Sequence, residues 1–325
     1  MAPFSNHSYF DQIHPKMAQV MANVQKVIIG KESLIELMLV SILAKGHVLL
    51  EDVPGVGKTM LVRSLAKSLG CTFKRIQFTP DLLPSDVTGV SVYHQKDMSF
   101  RFIEGPVFGH IVLADEINRT SPKTQSALLE AMEEGHVTVD GDTKPLPEPF
   151  LVMATQNPID YEGTFPLPEA QLDRFLLKLK IGYPDKKDEL QMLSRLQRDH
   201  PIESLQSVLT IEELQQFQQA VGHIHVDDSI KDYIVSLTQA TRQHENVYLG
   251  VSPRGSVALL RASQSMAFIR GREYVIPDDV KLLAPYALSH RLILHAEADY
   301  HGIDVHQVLG DIIRKVPVPV DKETV

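Results

Sequence analysis

A lysine and a threonine follow a glycine-rich stretch in the first quarter of the chain. Residues 51–59 read EDVPGVGKT, after an apolar run and before a helical pattern. The backbone N–H groups of such a turn and the start of the following helix bind phosphates. Lys58 would contact the β- and γ-phosphates of a nucleotide, and the Thr59 hydroxyl would bind Mg²⁺. The alternative is a structural turn, which has many other solutions and needs no lysine.

The predicted nucleotide contacts extend from this turn into the helix. They are Pro54, Gly55, Val56, Gly57, Lys58, Thr59 and Met60. The usual motif begins with glycine, where this chain has Asp52. We expect the turn to survive this difference, because the proline and the two glycines form it.

Two adjacent carboxylates, Asp115 and Glu116, end an apolar run at 110–114. A buried strand of this kind delivers both side chains to the carboxyl edge of a sheet, where open α/β sheets bind ligands. Asp115 would hold a hydrated Mg²⁺, and Glu116 would orient or deprotonate the attacking water. The alternative is a solvated strand end, and the phosphate loop upstream makes that explanation weaker.

Asn157 ends a further apolar run within the string ATQNP at 154–158. Its amide would lie between the γ-phosphate and the water. An isolated Asn-Pro pair usually forms only a turn, so this role depends on the other motifs.

Five apolar runs, separated by helical stretches, would position these groups. The expected strands are 46–51, 73–79, 110–115, 150–155 and 176–181, and the expected first helix after the loop is 58–69. Strands that alternate with helices predict a parallel sheet covered on both faces. Turn signals inside 87–104 and 136–146 predict two inserted hairpins.

Helical periodicity replaces the strand signals after Pro184. The residues 210–213, Thr-Ile-Glu-Glu, form a capping box, and Ser252 precedes a proline suited to the first turn of a helix over 252–270. We therefore expect two domains, an N-terminal helix plus nucleotide-binding core at 1–184 and a helical domain at 185–325.

The composition excludes several classes of protein. The formal net charge is −9, which argues against broad, sequence-independent binding to nucleic acid. Cys71 is the single cysteine, so a reducing compartment is expected. The apolar run at 34–44 is too short for a membrane span. These features predict a cytoplasmic protein.

The order of the motifs resembles the MoxR family of AAA+ ATPases. After the phosphate loop come DEINR at 115–119, ATQNP at 154–158, LPEAQLDRF at 167–175 and SPRG at 252–255. The strings DLLPSDVTG, EGPVFGHIVLADEINR, TQSALLEAMEE and GTFPLPEAQLDRF make the resemblance more specific. It runs from about residue 27 to about residue 317.

This resemblance implies a five-stranded αβα core, a helical lid and a hexameric ring that hydrolyses ATP with Mg²⁺. The two hairpins are similar to the helix-2 insert and the pre-sensor-1 hairpin of the clade that includes magnesium chelatase. The family acts as chaperones on partner proteins, often ones with a von Willebrand factor A-type domain, or enzymes that need a cofactor inserted.

The resemblance also implies roles for single residues: Asn157 as sensor 1, Arg174 as the arginine finger and Arg254 as sensor 2. A guanidinium supplied by a neighbouring subunit accelerates phosphoryl transfer by about 10³–10⁵ in well-studied enzymes. An ion pair with Asp173 or another neighbour is the alternative for Arg174, and Arg119 competes for the same role. Arg254 lies in a first helical turn, where the dipole disfavours a cation; a nearby anionic ligand would explain it, and a solvated arginine is the alternative.

Residues 27–30 and 183–184 occupy the places where AAA+ proteins enclose adenine, although core packing accounts equally well for Val27 and Ile29. Two functions remain open for the whole chain. One is an ATPase that remodels protein partners, and the other is a nucleotide-gated binding module with incidental turnover. Glu116 and Arg174 favour the first, because a binder needs neither. A DNA motor is disfavoured, since the tip at 140–144, DGDTK, is mostly acidic.

Overall fold

The structure is a computed structural model that describes residues 13–51, 55–157, 164–196 and 202–319. Its helices are α1 (Pro15–Gln25), α2 (Glu32–Leu43), α3 (Lys58–Ser68), α4 (Pro84–Thr88), α5 (Pro122–Glu134), α6 (Glu169–Leu172), α7 (Lys186–Leu196), α8 (Ile211–Val221), α9 (Asp228–Gln243), α10 (Pro253–Ile269), α11 (Pro277–Leu288), α12 (Ala296–Tyr300) and α13 (Val305–Lys315). Its strands are β1 (His47–Glu51), β2 (Phe73–Gln77), β3 (Gly89–His94), β4 (Ser99–Glu104), β5 (Ile111–Asp115), β6 (His136–Val139), β7 (Asp142–Pro145), β8 (Leu151–Gln156), β9 (Phe175–Leu179), β10 (Val247–Leu249) and β11 (Ile293–Leu294).

The five predicted strands form one sheet in the order β2-β5-β8-β1-β9. All four neighbouring pairs are parallel. The central strands β1, β5 and β8 are buried along nearly their whole length, as expected of a parallel sheet with both faces covered. The αβα prediction is confirmed, and each strand lies within a few residues of its predicted range.

Parallel pairing places the carboxyl ends of all five strands at one edge of the sheet. The phosphate loop follows β1, the two carboxylates end β5, and Asn157 follows β8. Because β8 lies between β5 and β1, its carboxyl end separates the carboxylates from the phosphate loop.

Both inserted hairpins are present. Strands β3 and β4 pair antiparallel around the turn at 95–98, and β6 and β7 pair around Asp140 and Gly141. Asp140 and Gly141 both have positive φ, 54° and 88°, as the tight turn of a two-residue hairpin loop requires.

The second half of the chain is helical, as predicted. Thr210 and Glu213 cap α8 reciprocally, and the Ser252 hydroxyl caps α10. Helices α8 to α13 share one hydrophobic cluster with α1, α2 and the sheet. Arg270 of the α10 C-cap also pairs with the buried Glu36 of α2 at 3.3 Å. The domain boundary near residue 184 stays a prediction. Within the described ranges, no helix has both the length and the apolar character needed to cross a membrane.

Candidate active site

Two glycines of the phosphate loop have a left-handed backbone conformation. Gly55 has φ 88° and Gly57 has φ 87°, which strains any residue with a side chain. A Cβ at either position would meet no atom within 4 Å. The backbone conformation, and not lack of space, therefore requires glycine. Gly57 is the N-cap of α3, so the turn leads directly into a helix start that favours anions. Pro54 lies outside the described residues.

Lys58, Thr59 and Met60 form the first turn of α3 and are half-buried. Val56 packs against the main hydrophobic cluster, which fixes the loop to the core. The structure thus brings the described members of the predicted nucleotide site together at the carboxyl edge. Their contacts with a nucleotide stay a prediction.

Asp115 is held by partners on both neighbouring strands. The hydroxyl of the buried Thr155 donates to its Oδ1 at 2.7 Å, and Arg75 donates to its Oδ2 at 2.6 Å. The same Thr155 oxygen accepts from the Glu116 backbone N–H at 2.8 Å. The positive charge that contacts Asp115 in this structure is the guanidinium of Arg75. Its carboxylate and the Thr59 hydroxyl are hard oxygen donors, which fit Mg²⁺.

Glu116 adopts the left-handed backbone conformation, with φ 58°. For a non-glycine residue this costs about 1–3 kcal/mol and is concentrated at functional sites. Its Oε2 accepts from Gln77 Nε2 at 2.8 Å and lies 3.3 Å from Arg119 Nη1. Arg119, the competing finger candidate, therefore contacts the carboxyl edge of its own chain.

Asn157 directly follows β8 and is 9% exposed. The strand order places it between Asp115 and the phosphate loop, where its predicted role requires it.

Arg174 lies at the opposite edge of the sheet. It directly precedes β9, whose Phe175 is in register with His47 at the start of β1. The phosphate loop begins after Glu51, at the other end of β1. Five residues at about 3.3 Å each separate the two ends by about 16 Å along the strand. Arg174 therefore lies too far from the phosphate loop of its own chain to contact a nucleotide bound there.

Arg254 meets Arg174 at this amino edge. Glu133, near the end of α5, pairs with both: its Oε2 lies 2.6 Å from Arg174 Nη2 and its Oε1 lies 3.0 Å from Arg254 Nη2. An ion pair, which was the alternative for Arg174, does form, and its partner is Glu133 and not the adjacent Asp173. The finger role of Arg174 stays a prediction. Arg254 is not simply solvated, because its guanidinium has this carboxylate partner.

Asp173 instead joins the helical half to the core. Its Oδ1 lies 2.6 Å from Nε of Arg291, whose side chain is 3% exposed, and its Oδ2 accepts from the Ser252 hydroxyl at 2.9 Å. Burial lowers the pKa of the Arg291 guanidinium, while Asp173 opposes that shift. These contacts fix the chain immediately before Arg174 and two residues before Arg254.

The two segments expected to enclose adenine are brought together by Lys31. Its ammonium donates to the carbonyls of Ile181, Gly182 and Tyr183 at 2.8, 3.2 and 3.1 Å. Gly30 has φ 67°, and a Cβ there would lie 1.7 Å from the Asp188 carboxylate. Contact with adenine stays a prediction.

Sequence reasoning missed four groups at these edges: Arg75, Gln77, Thr155 and Glu133. The first three are near the carboxyl ends of predicted strands, so the strand order would have indicated them. Glu133 lies in the quoted string TQSALLEAMEE, but nothing local in the sequence marks it as a partner of two distant arginines.

Known proteins resemble this chain over most of its length. Residues 47–177 match the ATPase family associated with various cellular activities (AAA), and residues 239–312 match the AAA lid domain. The uncharacterized protein YeaC of Bacillus subtilis is 58% identical over 98% of this chain and 99% of its own length. Chaperone MoxR1 of Mycobacterium tuberculosis is 45% identical over 91% of this chain and 80% of its own length. A crystal structure of a candidate ATPase from Cytophaga hutchinsonii is 41% identical, with a TM-score of 0.89 over 94% of this chain and 95% of that one.

Proposed function

The chain belongs to the MoxR family of AAA+ ATPases, and we propose that it couples ATP hydrolysis to the remodelling or activation of partner proteins. The division of the predicted site between two edges of the sheet carries this proposal. The groups predicted to bind phosphate and activate water follow strands that end at the carboxyl edge, and Arg174 and Arg254 meet at the amino edge. A complete site then forms only where one subunit meets the next.

We infer a closed ring, a hexamer by family resemblance, in which each nucleotide lies between two subunits. Lys58 and the loop N–H groups bind the phosphates, and Thr59 and Asp115 hold Mg²⁺. The ion supplies charge neutralisation on the phosphates when it is bound. Glu116 takes the proton of the attacking water, and Asn157 orients that water. The neighbour's Arg174 and Arg254 stabilise the charge of the transferring phosphoryl group.

Glu116 must leave its present partners before it can act. Gln77 and Arg119 both contact its Oε2, so this oxygen cannot accept a proton from water while those contacts last. Arg75 likewise occupies Asp115. The proposed resting site is therefore assembled but restrained, and nucleotide, metal and neighbour together release it.

In a closed ring, hydrolysis in one subunit moves part of the adjacent subunit. Arg254 belongs to the helical half and Arg174 to the core, and the Asp173–Arg291 pair joins the two halves beside them. Loss of the γ-phosphate changes what the two arginines contact, so the helical half of one subunit moves with the nucleotide of the next. We propose that this movement is applied to a bound protein. A von Willebrand factor A-type domain protein is the proposed class of partner.

Nucleic acid is a poor substrate for this chain. The β6–β7 tip presents Asp140 and Asp142, and the net charge is −9. Both repel a phosphate backbone. A cytoplasmic location stays a prediction.

A partner-stimulation assay separates the remodelling ATPase from a nucleotide-gated scaffold. Glu116→Gln, which should bind ATP without turnover, serves to co-purify the partner from the native cell. The ATPase rate of the wild type is then measured with and without that partner, and partner activation is measured with both forms. Remodelling predicts a stimulated rate and no activation by the variant. Full activation by Glu116→Gln would show that the chain acts as a scaffold.

A further inference from the structure

We propose that Glu133 is a positioning residue that holds Arg174 and Arg254 side by side, so that both reach the nucleotide of the adjacent subunit. This inference rests on the proposed function, which places both arginines at the subunit interface. In this proposal Glu133 acts through the two arginines and not by its own contact with the nucleotide or the attacking water.

The contacts leave both guanidinium groups able to bind a phosphate. Each arginine contacts Glu133 through Nη2, Arg174 at one carboxylate oxygen and Arg254 at the other. A guanidinium carries five N–H donors in a fixed plane, so most donors of each group remain for another anion. A carboxylate that blocked an arginine would accept two parallel N–H···O hydrogen bonds from its guanidinium.

The charges explain why a carboxylate is needed between the arginines. Two guanidinium groups brought to one place repel each other. Glu133 reduces the charge of the group from +2 to +1, which still attracts a nucleotide. Without it, the Arg254 side chain, 62% exposed, would gain rotamer freedom, and the pair would lose its shared geometry.

The backbone places the three side chains together but does not orient them. Glu133 comes from the end of α5, Arg174 from the turn before β9 and Arg254 from the first turn of α10. The partly buried contacts of Asp173 with Arg291 and Ser252 hold the backbone near the two arginines. Among the ion pairs of the described residues, Glu133 is the one carboxylate that contacts both guanidinium groups.

A positioning role predicts a particular split between kcat and KM. Glu133→Gln keeps the shape but removes the charge. The ATP KM should stay unchanged or fall, because the edge becomes more positive. The kcat should fall by roughly tenfold to a hundredfold, the range expected when a catalytic group is misplaced by about 1 Å. Glu133→Asp, which keeps the charge, should recover part of the rate.

Glu134→Gln is the matched control. This neighbouring carboxylate lies on the same helix end, contacts only His136 at 3.7 Å among the ion pairs of the described residues, and is 54% exposed. Its rate, ring size and melting temperature should equal those of the wild type. A general effect of charge loss at the end of α5 would lower both glutamine variants alike.

Mixed rings test whether Glu133 acts in the subunit that donates the arginines. Lys58→Ala subunits supply arginines, and Arg174→Ala subunits supply nucleotide sites. Mixing them should restore partial activity. Adding Glu133→Gln to the Lys58→Ala subunit should abolish most of that recovery, whereas adding it to the Arg174→Ala subunit should leave the recovery intact. Native mass spectrometry confirms the mixing.

Three other outcomes overturn the proposal in distinguishable ways. Recovery that survives Glu133→Gln in both subunits removes the role of Glu133 and leaves the interface standing. Equal loss in both arrangements shows a structural or assembly role. Well-mixed rings that never recover activity overturn the shared interface itself, and the role of Glu133 with it. If Glu133→Gln does not fold, Glu133→Asp is placed in the same two arrangements and judged by the same asymmetry.

Discussion

The two edges of the sheet are built in different ways. At the carboxyl edge, the proposed groups lie at the end of a strand or on the turn that follows it, and Thr155 bridges Asp115 and Glu116 through a buried hydroxyl. At the amino edge, partly exposed ion pairs join distant segments, one of them in the helical half. The carboxyl edge is fixed by the hydrogen-bonded sheet itself, and the amino edge also depends on docking of the helical half.

This difference separates two kinds of defect. A change at the carboxyl edge should disable the subunit that carries it. A change at the amino edge should leave that subunit able to bind nucleotide and disable its neighbour. Substitutions at the two edges therefore test the division directly.

Lys58→Ala should have the largest effect. Lys58 is the cation placed in the first turn of α3, and it is proposed to contact the β- and γ-phosphates. We expect loss of detectable ATP binding near neutral pH, measured with a fluorescent ATP analogue, and loss of all hydrolysis. Lys67→Ala, at the other end of the same helix, is the control. Unchanged affinity in Lys58→Ala would remove the phosphate-loop assignment.

Arg174→Ala should nearly abolish hydrolysis but preserve binding. Arginine fingers contribute about 10³–10⁵ to the rate in well-studied enzymes, so we expect a fall of about 10³ or more, with an unchanged dissociation constant for ATP. Activity per wild-type subunit should also rise with protein concentration as rings form.

Mixing gives the decisive comparison between the edges. Arg174→Ala and Lys58→Ala are each inactive alone, and their mixture should regain part of the rate. If rings shown to be mixed stay inactive, Arg174 is not a finger that acts in trans. The same mixture made with Arg119→Ala would then show whether Arg119 has that role.

Glu116→Gln should have a smaller effect, confined to chemistry. The amide keeps the shape of the side chain and removes the base, so turnover should fall by roughly 10² or more while ATP still binds. Single-turnover rates with bound ATP measure this step. Gln77→Ala is the comparison variant, because it removes a partner of Glu116 and keeps the carboxylate. A wild-type rate in Glu116→Gln would show that another group activates the water.

Acid should weaken the amino edge first, which is the smallest of these effects. His47 begins β1, its ring contacts the Met132 carbonyl at 3.1 Å, and it accepts from the Val152 N–H at 3.0 Å. Burial lowers its pKa from 6.5 to about 4. Burial also lowers the pKa of His290, which contacts the Phe175 carbonyl beside Arg174.

Stability decreases with acid because the folded state favours the neutral imidazole of His47. Above about pH 6.5 the ring of His47 is neutral in both states, and its contribution is complete. As the pH falls towards about 4, the unfolded chain binds the proton more tightly than the folded chain does. The free energy of unfolding therefore falls by about 3 kcal/mol. Urea unfolding at pH 7.5 and 5 measures the loss. His47→Gln should reduce this pH dependence, and the exposed control His94→Gln should not. As the pH is lowered to 5, amide hydrogen exchange should become faster at the end of α5 earlier than it does at the start of α3. Faster exchange first at the start of α3 would contradict the comparison.

The sequence by itself determined the carboxyl edge because the information there is local. An apolar strand followed by a glycine turn or by carboxylates fixes both the element and the end at which its polar groups lie. The family motifs then indicated Arg174 and Arg254 as important residues. Burial of Cys71, whose thiol pKa burial raises to about 12, was also predictable from its place before a strand.

Only the tertiary structure decided which groups share a contact. The pairing of Arg174 with Glu133 instead of the adjacent Asp173, and the meeting of Arg254 with the same carboxylate, depend on how the helical half docks on the sheet. Arg75 reaches Asp115 because β2 and β5 are neighbours in space, although β3 and β4 separate them along the chain. Local periodicity specifies which face of an element is buried, but partners far apart in sequence are selected by the packing of whole elements, where burial and charge are settled together.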